Sequence, residues 1–323
     1  DLVFEKNESS ANLRLNKSDF VKPGQHKIKV EAEWRGKTYI LEEEFTWGVL
    51  VVNVNKSIYR SGDKAFLQMA ALDEKGTTVC DANLELEVEG PNSEKTIFKT
   101  EQGSIIQNKT CNLNNVTDEP DYYAYHQVSE IGTYKLTLRN LDKGYEILDS
   151  FEVRGAEILE VERIGATRIN PFKSDYTMRL LITAREDFEG QLIERFPSNL
   201  EIVSAKGVEI GNQEIIWPII LERGKTLTLS YDYQAPGISP AIFLLGSSSV
   251  KDFEGNIVFE ETRQWQIASD NACQSAGTGN WSSSLSWTSC GGTTPQATDS
   301  VTILANHTIT QDVASVTIID LTT

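Results

Sequence analysis

Apolar and polar residues alternate one by one along much of this chain, and this period of two constrains the fold more than any other feature. The run KIKVEAEW at 27–34 is followed by an Arg35-Gly36 turn and a second run. Successive side chains of a strand point to opposite faces, so such runs are typical of strands with one buried face. The same period recurs at 84–88, 134–138 and 227–233, and turn signals separate the runs. Apolar spacing typical of helices is hard to find, so the sequence predicts an all-β fold.

Length and charge limit the classes of protein to which the chain can belong. Its 323 residues are enough for about two to three domains, each with a core of its own. A formal net charge of -17 argues against nucleic acid or an anionic membrane surface as a partner, because both would repel the protein. No apolar run reaches the ~18 residues of a membrane span, so we expect no membrane insertion within these residues.

Changes in composition and turn spacing divide the chain into four predicted units. Residues 1–46 hold only a few strands and are predicted to be the C-terminal part of a preceding β-sandwich. Residues 47–155 and 156–270 each contain enough alternating runs for an immunoglobulin-like sandwich. Lys, Arg and Glu are absent after Arg263, where Ser, Thr, Gly and Asn take over. This shift marks a fourth unit at 271–323.

The chain has four cysteines, and none of them has the Cys-x-x-Cys spacing of zinc and dithiol sites. Their even number fits two disulfides, for which three connectivities exist. We predict the local pairs, Cys80 with Cys111 and Cys273 with Cys290, because each pair lies inside one predicted unit. Two disulfides imply an oxidising compartment and an extracellular or cell-surface location, whereas four reduced thiols would fit the cytosol.

The unit at 47–155 resembles a known type of extracellular module. A strand that ends at Ile58-Tyr59 leads into a Ser61-Gly62-Asp63 turn, an apolar strand at 65–72 and a later strand that ends at Gly90-Pro91. This order resembles the second macroglobulin-type domain of the alpha-macroglobulin family, which implies a seven-stranded immunoglobulin-like sandwich. The family's Cys-Gly-Glu-Gln thioester motif is absent from this sequence, so the resemblance does not imply covalent trapping of proteases.

The same unit contains the stretch EIGTY at 130–134, which resembles the Gly-x-Tyr of an immunoglobulin-type tyrosine corner. In such a corner the phenol hydroxyl bonds a nearby backbone group and holds a strand crossing in place. We therefore predict a structural role for Gly132 and Tyr134.

Two further resemblances concern the chain as a whole and its last unit. The stretches 45–50, 56–59 and 263–268 resemble modular surface proteins inferred from genomes of candidate-phyla bacteria, which implies a surface location and no particular activity. The last unit has Trp281 and Trp287, followed by short Val, Ile and Thr runs. This pattern is similar to the entry of a right-handed parallel β-helix of the adhesin kind. The resemblance implies the cap or first coils of such a helix, with more coils expected after residue 323.

An acidic and aromatic cluster at 118–125, DEPDYYAY, has two interpretations. Asp118, Glu119 and Asp121 supply oxygen ligands of the kind that calcium takes, although their spacing matches no known calcium loop. Alternatively, the cluster is a solvated loop that leads into a strand with buried tyrosines. We favour this second interpretation and expect no cofactor, with calcium as the alternative.

Motifs typical of catalysis are absent from the sequence. The three histidines, His26, His126 and His307, lie in three different units, and no nucleophile motif surrounds them. We therefore expect a protein that is not an enzyme. The predicted function is that of a structural or adhesive segment of a large secreted or cell-surface protein, such as a stalk, adhesin or surface-layer element, with other surface proteins or glycans as partners. The alternative is a non-catalytic part of an extracellular carbohydrate-active enzyme whose active β-helix lies beyond residue 323.

Overall fold

The computed structural model describes residues 2–6, 11–15, 24–34, 37–74, 76–111, 119–171, 175–205, 208–270, 272–288, 290, 293–295, 300–318 and 320–322. Strands make up the regular structure of these residues, apart from a single 3₁₀ turn at Ser284–Ser286. The predicted all-β fold class is confirmed. No helix in the described residues is long and apolar enough to cross a membrane.

Two β-hairpins come first. Strands β1 (Leu2–Lys6) and β2 (Ala11–Leu15) pair antiparallel, and so do β3 (Gly24–Trp34) and β4 (Lys37–Trp47). Each hairpin is a two-stranded sheet of its own. Val30 lies opposite Leu41 on the second hairpin, and both side chains are exposed. The preceding sandwich that the sequence suggests for residues 1–46 stays a prediction.

Residues 49–154 form a two-layer sandwich. Its strands are β5 (Val49–Val54), β6 (Ile58–Arg60), β7 (Lys64–Leu72), β8 (Leu84–Glu89), β9 (Lys95–Lys99), β10 (Ile106–Gln107), β11 (Tyr122–Gln127), β12 (Gly132–Asn140) and β13 (Tyr145–Arg154). One sheet has the order β10-β11-β7-β5 and the other β6-β13-β12-β8-β9. With β5 as strand A, these are the A-B-E-D and G-F-C-C′ sheets of an immunoglobulin-like domain, to which β6 adds a short strand parallel to β13.

The alternation of residues decides which side chains fill the space between these two sheets. On β8, the side chains of Leu84, Leu86 and Val88 are buried in the core, while Glu87 faces outward. Glu87 pairs with Lys95 of the neighbouring strand β9 at 2.8 Å. A hydrogen bond from Lys95 lowers the pKa of this carboxyl. The outer face of the sheet therefore stays charged while the inner face is apolar.

Tyr134 lies near the start of β12, where the chain crosses from β11 in one sheet to β12 in the other. Its hydroxyl oxygen accepts hydrogen bonds from the backbone N–H of Glu130, at 3.1 Å, and of Ser129, at 3.3 Å. The side chain is 4% exposed. Gly132 has a φ of 138°, and a Cβ at this position would lie 2.7 Å from Pro91. The phenol thus binds the backbone just before β12. The structural role of Gly132 and Tyr134 stays a prediction of the sequence.

Residues 159–269 form a second sandwich, in which one layer is interrupted. Its strands are β14 (Leu159–Ile164), β15 (Arg168–Ile169), β16 (Tyr176–Ala184), β17 (Phe188–Arg195), β18 (Glu201–Ala205), β19 (Glu209–Gly211), β20 (Glu214–Leu221), β21 (Thr226–Gln234), β22 (Ala241–Leu245), β23 (Ser248–Asp252), β24 (Ile257–Glu260) and β25 (Trp265–Ser269). The first layer is β14-β16-β21-β18. The second layer consists of two sheets, β15-β25-β22 and β19-β20-β17-β23-β24. They are separate because strand pairing is interrupted at 246–247, between β22 and β23, and at 261–264, between β24 and β25.

The last unit differs from the sandwiches because parallel pairs predominate: three of the four strand pairs in its described residues are parallel. The strands are β26 (Ala272–Ser275), β27 (Gly279–Asn280), β28 (Trp287–Thr288), β29 (Ser300–Thr302), β30 (Ile309–Thr310) and β31 (Asp320–Thr322). Strands β26, β29 and β31 form a parallel ladder, which places Cys273, Val301 and Leu321 in one row, and β27 is parallel to β30. The rings of Trp281 and Trp287 meet edge to face at 4.8 Å within its small core.

The structure joins Cys80 to Cys111 and Cys273 to Cys290, which are the local pairs that the sequence analysis predicts. The first disulfide links the approach to β8 with the loop after β10, and the second lies in the core of the last unit. The first disulfide therefore closes a loop within the first sandwich, and the second closes a loop within the last unit.

We expect the substitution Tyr134→Phe to lower the free energy of unfolding by about 0.5 to 1.5 kcal/mol, because it removes the hydroxyl that accepts hydrogen bonds from two part-buried N–H groups. Urea denaturation followed by circular dichroism measures the change. Tyr125→Phe is the matched control, since Tyr125 is 45% exposed. Equal midpoints for the two variants would show that the corner does not stabilise the sandwich.

Candidate functional site

The two sandwiches meet in a junction that buries part of an outer sheet face. Residues 155–158 connect β13 directly to β14. Val51 of β5 and Ala70 and Leu72 of β7 point away from the core of the first sandwich and pack against Ala268 of β25. Ile242 of β22 packs against the same cluster. These outward-facing positions are therefore apolar because the second sandwich covers them.

Arg263 of the second sandwich reaches into the first one. Its Nη2 donates to Asp149 Oδ2 at 2.6 Å, to Asn53 Oδ1 at 2.9 Å and to the carbonyl oxygen of Val52 at 3.0 Å. Asn53 is buried, and it exchanges hydrogen bonds with the backbone of Gln266: its Nδ2 donates to the carbonyl oxygen at 2.7 Å and its Oδ1 accepts the N–H at 2.8 Å. A buried amide must be hydrogen-bonded to be tolerated, so these contacts fix β5 against the start of β25.

Arg168 forms a second buried ionic contact across the junction. Its Nε and Nη2 donate to the two carboxylate oxygens of Asp121 in the first sandwich, each at 2.8 Å. Its Nη1 donates to Asp270 at 2.8 Å, and Nη2 also reaches the carbonyl oxygen of Cys111 at 3.1 Å. Thr78 donates a hydrogen bond to Asp270. Burial lowers the pKa of Arg168, but the charges of Asp121 and Asp270 raise it above its ordinary value, so the guanidinium stays charged.

Asn55 of the first sandwich is hydrogen-bonded to β14 of the second sandwich. Its Nδ2 donates to Glu162 at 2.8 Å, and its carbonyl oxygen accepts the backbone N–H of Arg163 at 2.8 Å. Its Oδ1 accepts the hydroxyl of Tyr59 at 2.6 Å and the N–H of Phe66 at 3.2 Å. Burial raises the pKa of Tyr59 above its ordinary value, which keeps this hydroxyl a donor. One asparagine thus connects a turn of the first sandwich to a strand of the second.

Arg163 lies behind this contact in the second sandwich, paired with two glutamates that are also buried. It donates to both oxygens of Glu194, at 2.8 and 2.6 Å, and to Glu261 through Nε at 2.8 Å and Nη2 at 2.6 Å. Glu194 also accepts the hydroxyls of Tyr231, at 2.8 Å, and Ser248, at 2.5 Å. Burial lowers the pKa of Arg163, but the two carboxylates hold it well above its ordinary value.

This cluster occupies the break in the second layer. Glu261 follows β24, and its carboxylate accepts the backbone N–H of Ser248 at the start of β23 at 2.7 Å. The Nε2 of Gln264 donates to the carbonyl oxygen of Gly246 at 3.0 Å. Backbone groups that the interrupted ladder leaves unpaired are thus satisfied by side chains. Since Arg163 and Arg263 flank this region and both contact the first sandwich, the break lies next to the junction.

The residues suggested as calcium ligands are engaged in other contacts where the structure describes them. Asp121 is buried in its ion pair with Arg168, and Glu119 accepts hydrogen bonds from Asn108 Nδ2 at 2.9 Å and from Thr110 at 3.3 Å. Asp118 lies outside the described residues. Within those residues there is no group of three or more His, Cys, Asp or Glu side chains that could hold a metal ion. Calcium at this cluster stays a prediction of the sequence.

The described histidines lie in separate local environments. His126 is half-buried against the rings of Phe98 and Tyr134, and burial lowers its pKa. His307 Nδ1 lies 2.7 Å from the Ser275 hydroxyl in the last unit. The side chain of His26 is not described. A non-catalytic protein stays an expectation of the sequence analysis.

The buried arginines are the functional residues that the sequence analysis did not identify. One signal for Arg163 was present: it follows Leu159 and Val161 at spacings of two, so the alternation of β14 places it on the buried face. An arginine at a core position requires buried carboxylates. The sequence does not show which carboxylates those are, because Glu194 and Glu261 are 31 and 98 residues away.

Comparison with protein-family models and with curated proteins gives no match. Among solved structures, the chain is similar to the chitin-binding domain of a chitinase from Pyrococcus furiosus, with 11% identity and a TM-score of 0.24 over 32% of this chain and 97% of that one. It is also similar to Salmonella alpha-2-macroglobulin, with 13% identity and a TM-score of 0.27 over 83% of this chain and 17% of that one. It is also similar to Escherichia coli alpha-2-macroglobulin activated by porcine elastase, with 11% identity and a TM-score of 0.29 over 81% of this chain and 27% of that one.

The chain spans less than a third of the length of either alpha-2-macroglobulin chain. TM-scores this low do not establish a shared fold, so the assignment of the sandwiches rests on their own strand order. The resemblances to macroglobulin-type domains and to candidate-phyla surface proteins stay predictions.

We expect Arg163→Met to lower the free energy of unfolding by about 3 to 5 kcal/mol, because it leaves Glu194 and Glu261 buried without a cation. Arg195→Met is the matched control: Arg195 pairs with Glu214 at 3.4 Å on a partly exposed surface, and its loss should cost less than about 1 kcal/mol. Urea denaturation of both variants measures the difference. If the two variants were equally stable, the buried cluster would not be what holds the interrupted layer.

Proposed function

We propose that this chain is a non-catalytic structural segment of a large secreted or cell-surface protein, in which the two sandwiches act as one rigid spacer. The observation that carries the proposal is the junction, where Arg168 and Arg263 of the second sandwich form buried ion pairs with Asp121 and Asp149 of the first. Domains that move relative to one another usually meet through small, polar interfaces. Here charged groups are removed from water, which requires that their partners stay in place.

The last unit of the segment has a different strand arrangement from the two sandwiches. Its ladder β26-β29-β31 is parallel, and β27 and β30 stack in the same sense. Stacked coils of a parallel β-helix have this pairing, because each coil places its strand directly on the strand of the coil before. This ladder supports the proposal that the last unit is the start of such a helix, which would extend a stalk or adhesin in one direction.

Two disulfides support a location outside the cytosol. A stalk or adhesin in that location would meet other surface proteins or glycans, which we propose as its partners. The strongly negative net charge of -17 fits a protein that stays soluble among other surface molecules.

Distance distributions between two spin labels test the rigid spacer. Lys135→Cys on β12 and Gln191→Cys on β17 carry exposed labels on the two sandwiches, and Gln191→Cys with Thr226→Cys is the control pair within one sandwich. We expect the distribution between the sandwiches to be as narrow as that of the control pair, because the junction fixes one orientation. A distribution much broader than that of the control would mean that the sandwiches move independently, and the proposal would fail.

A further inference from the structure

The second sandwich has an open groove that shares no lining residue with the buried ion pairs of the junction. It has a volume of about 540 Å³ and lies where β17 begins and β20 ends, between Ile158 just before β14 and Val258 on β24. Both β14 and β24 are edge strands of their sheets. Phe188 and Leu221, which belong to the core of the sandwich, form part of its lining. A ligand in this groove would therefore contact side chains that belong to the core of the sandwich.

Two large apolar side chains of this groove are directed to solvent. Ile220 is 77% exposed on β20, and Phe253 is 79% exposed in the turn between β23 and β24. A single exposed apolar residue is ordinary on a protein surface, but a group of them beside a groove marks an interaction site. Leu221, which is 8% exposed, and Val258 also line the groove. The groove thus offers an apolar floor and an apolar rim.

Carboxylates line the same groove. Asp187, Glu189, Glu222 and Asp252 are among its lining residues, and Glu189 lies directly opposite Ile220 across the β17-β20 ladder. Within the described part of the chain, the arginines of the second sandwich form salt bridges with other carboxylates: Glu160, Glu194, Glu214, Glu261, Asp270, and Asp121 and Asp149 of the first sandwich. Hydrogen bonds from Asn256 lower the pKa of Asp252, which keeps it ionised at neutral pH. The groove therefore presents negative charge around apolar surface.

We propose that this groove binds an extended peptide segment of a partner protein in which a bulky apolar side chain is flanked by Lys or Arg residues. The apolar side chain packs on Leu221 and Val258 beside Phe253, while the flanking cations face Glu189 and Glu222. An extended segment fits because β24, which contributes Val258 to the groove, is an edge strand, and an edge strand presents backbone N–H and C=O groups to which a further strand can bond. The charge complementarity selects basic over acidic segments. This binding site is separate from the rigid junction and does not depend on it.

Titration of the isotopically labelled 323-residue chain with three synthetic peptides, followed by amide NMR shifts, tests the proposal. The probe is an acetylated Lys-Val-Lys-Leu-Lys-Val amide, and the matched peptides replace its lysines by Glu or its Val and Leu by Ser. We expect only the probe to bind, with shifts that concentrate at Ile220, Phe253 and Val258. Phe253→Ser should weaken binding by about tenfold, whereas Leu148→Ser, which alters a side chain 71% exposed on the first sandwich, should not change it.

Four results would overturn the proposal. The probe could fail to bind at millimolar concentration, or the acidic or polar peptide could bind as tightly as the probe. The shifts could spread over the whole acidic surface and be unaffected by Phe253→Ser, which would indicate attraction by net charge alone. The same residues could shift with protein concentration in the absence of peptide, which would show that a second copy of the chain occupies the groove.

Discussion

The arrangement of this molecule depends on arginine side chains that are removed from water where the two sandwiches meet. Arg168 and Arg263 cross the junction, and Arg163 lies directly behind it. A buried guanidinium is tolerated only if carboxylates and carbonyl oxygens take all of its donors. Each of these three has at least two such acceptors. The relative position of the sandwiches is thus restricted to one in which Arg168 and Arg263 both reach their acceptors on the first sandwich.

Such ion pairs contribute more to orientation than to net stability. The cost of desolvation offsets much of the attraction within a buried pair, so well-packed apolar residues would stabilise the same contact at least as well. Apolar packing already exists here between Leu72, Ala70 and Ala268. Small apolar surfaces slide with little penalty, whereas displaced ion pairs leave buried charges without partners. We infer that the apolar contact favours association and that the ionic contacts select one orientation.

Local features of this fold were predictable from the sequence, and long-range pairings were not. The alternation at Leu84, Leu86 and Val88 is a local pattern, and so is the Gly132-x-Tyr134 corner, whose bonds reach back only a few residues. Asp121 is an example of a residue whose partner could not be predicted from the sequence. Within its acidic stretch it resembles a loop ligand for calcium, but its partner Arg168 lies 47 residues further along the chain. Only the assembled sandwiches bring the two side chains together. The groove of the second sandwich likewise joins residues that are distant in the sequence, from Ile158 to Val258.

The central claim is that the junction makes two sandwiches into one cooperative unit, and amide hydrogen exchange at increasing urea concentration tests it most directly. Leu67 reports on the core of the first sandwich and Leu180 on that of the second. If the sandwiches are coupled, both amides exchange with the same free energy of opening at high urea, and Arg168→Met lowers both values together. Arg139→Met removes a partly exposed arginine that pairs with Glu146 on the first sandwich, and it should change neither value by more than about 1 kcal/mol. Different free energies for Leu67 and Leu180, with Arg168→Met affecting only the second, would contradict the claim.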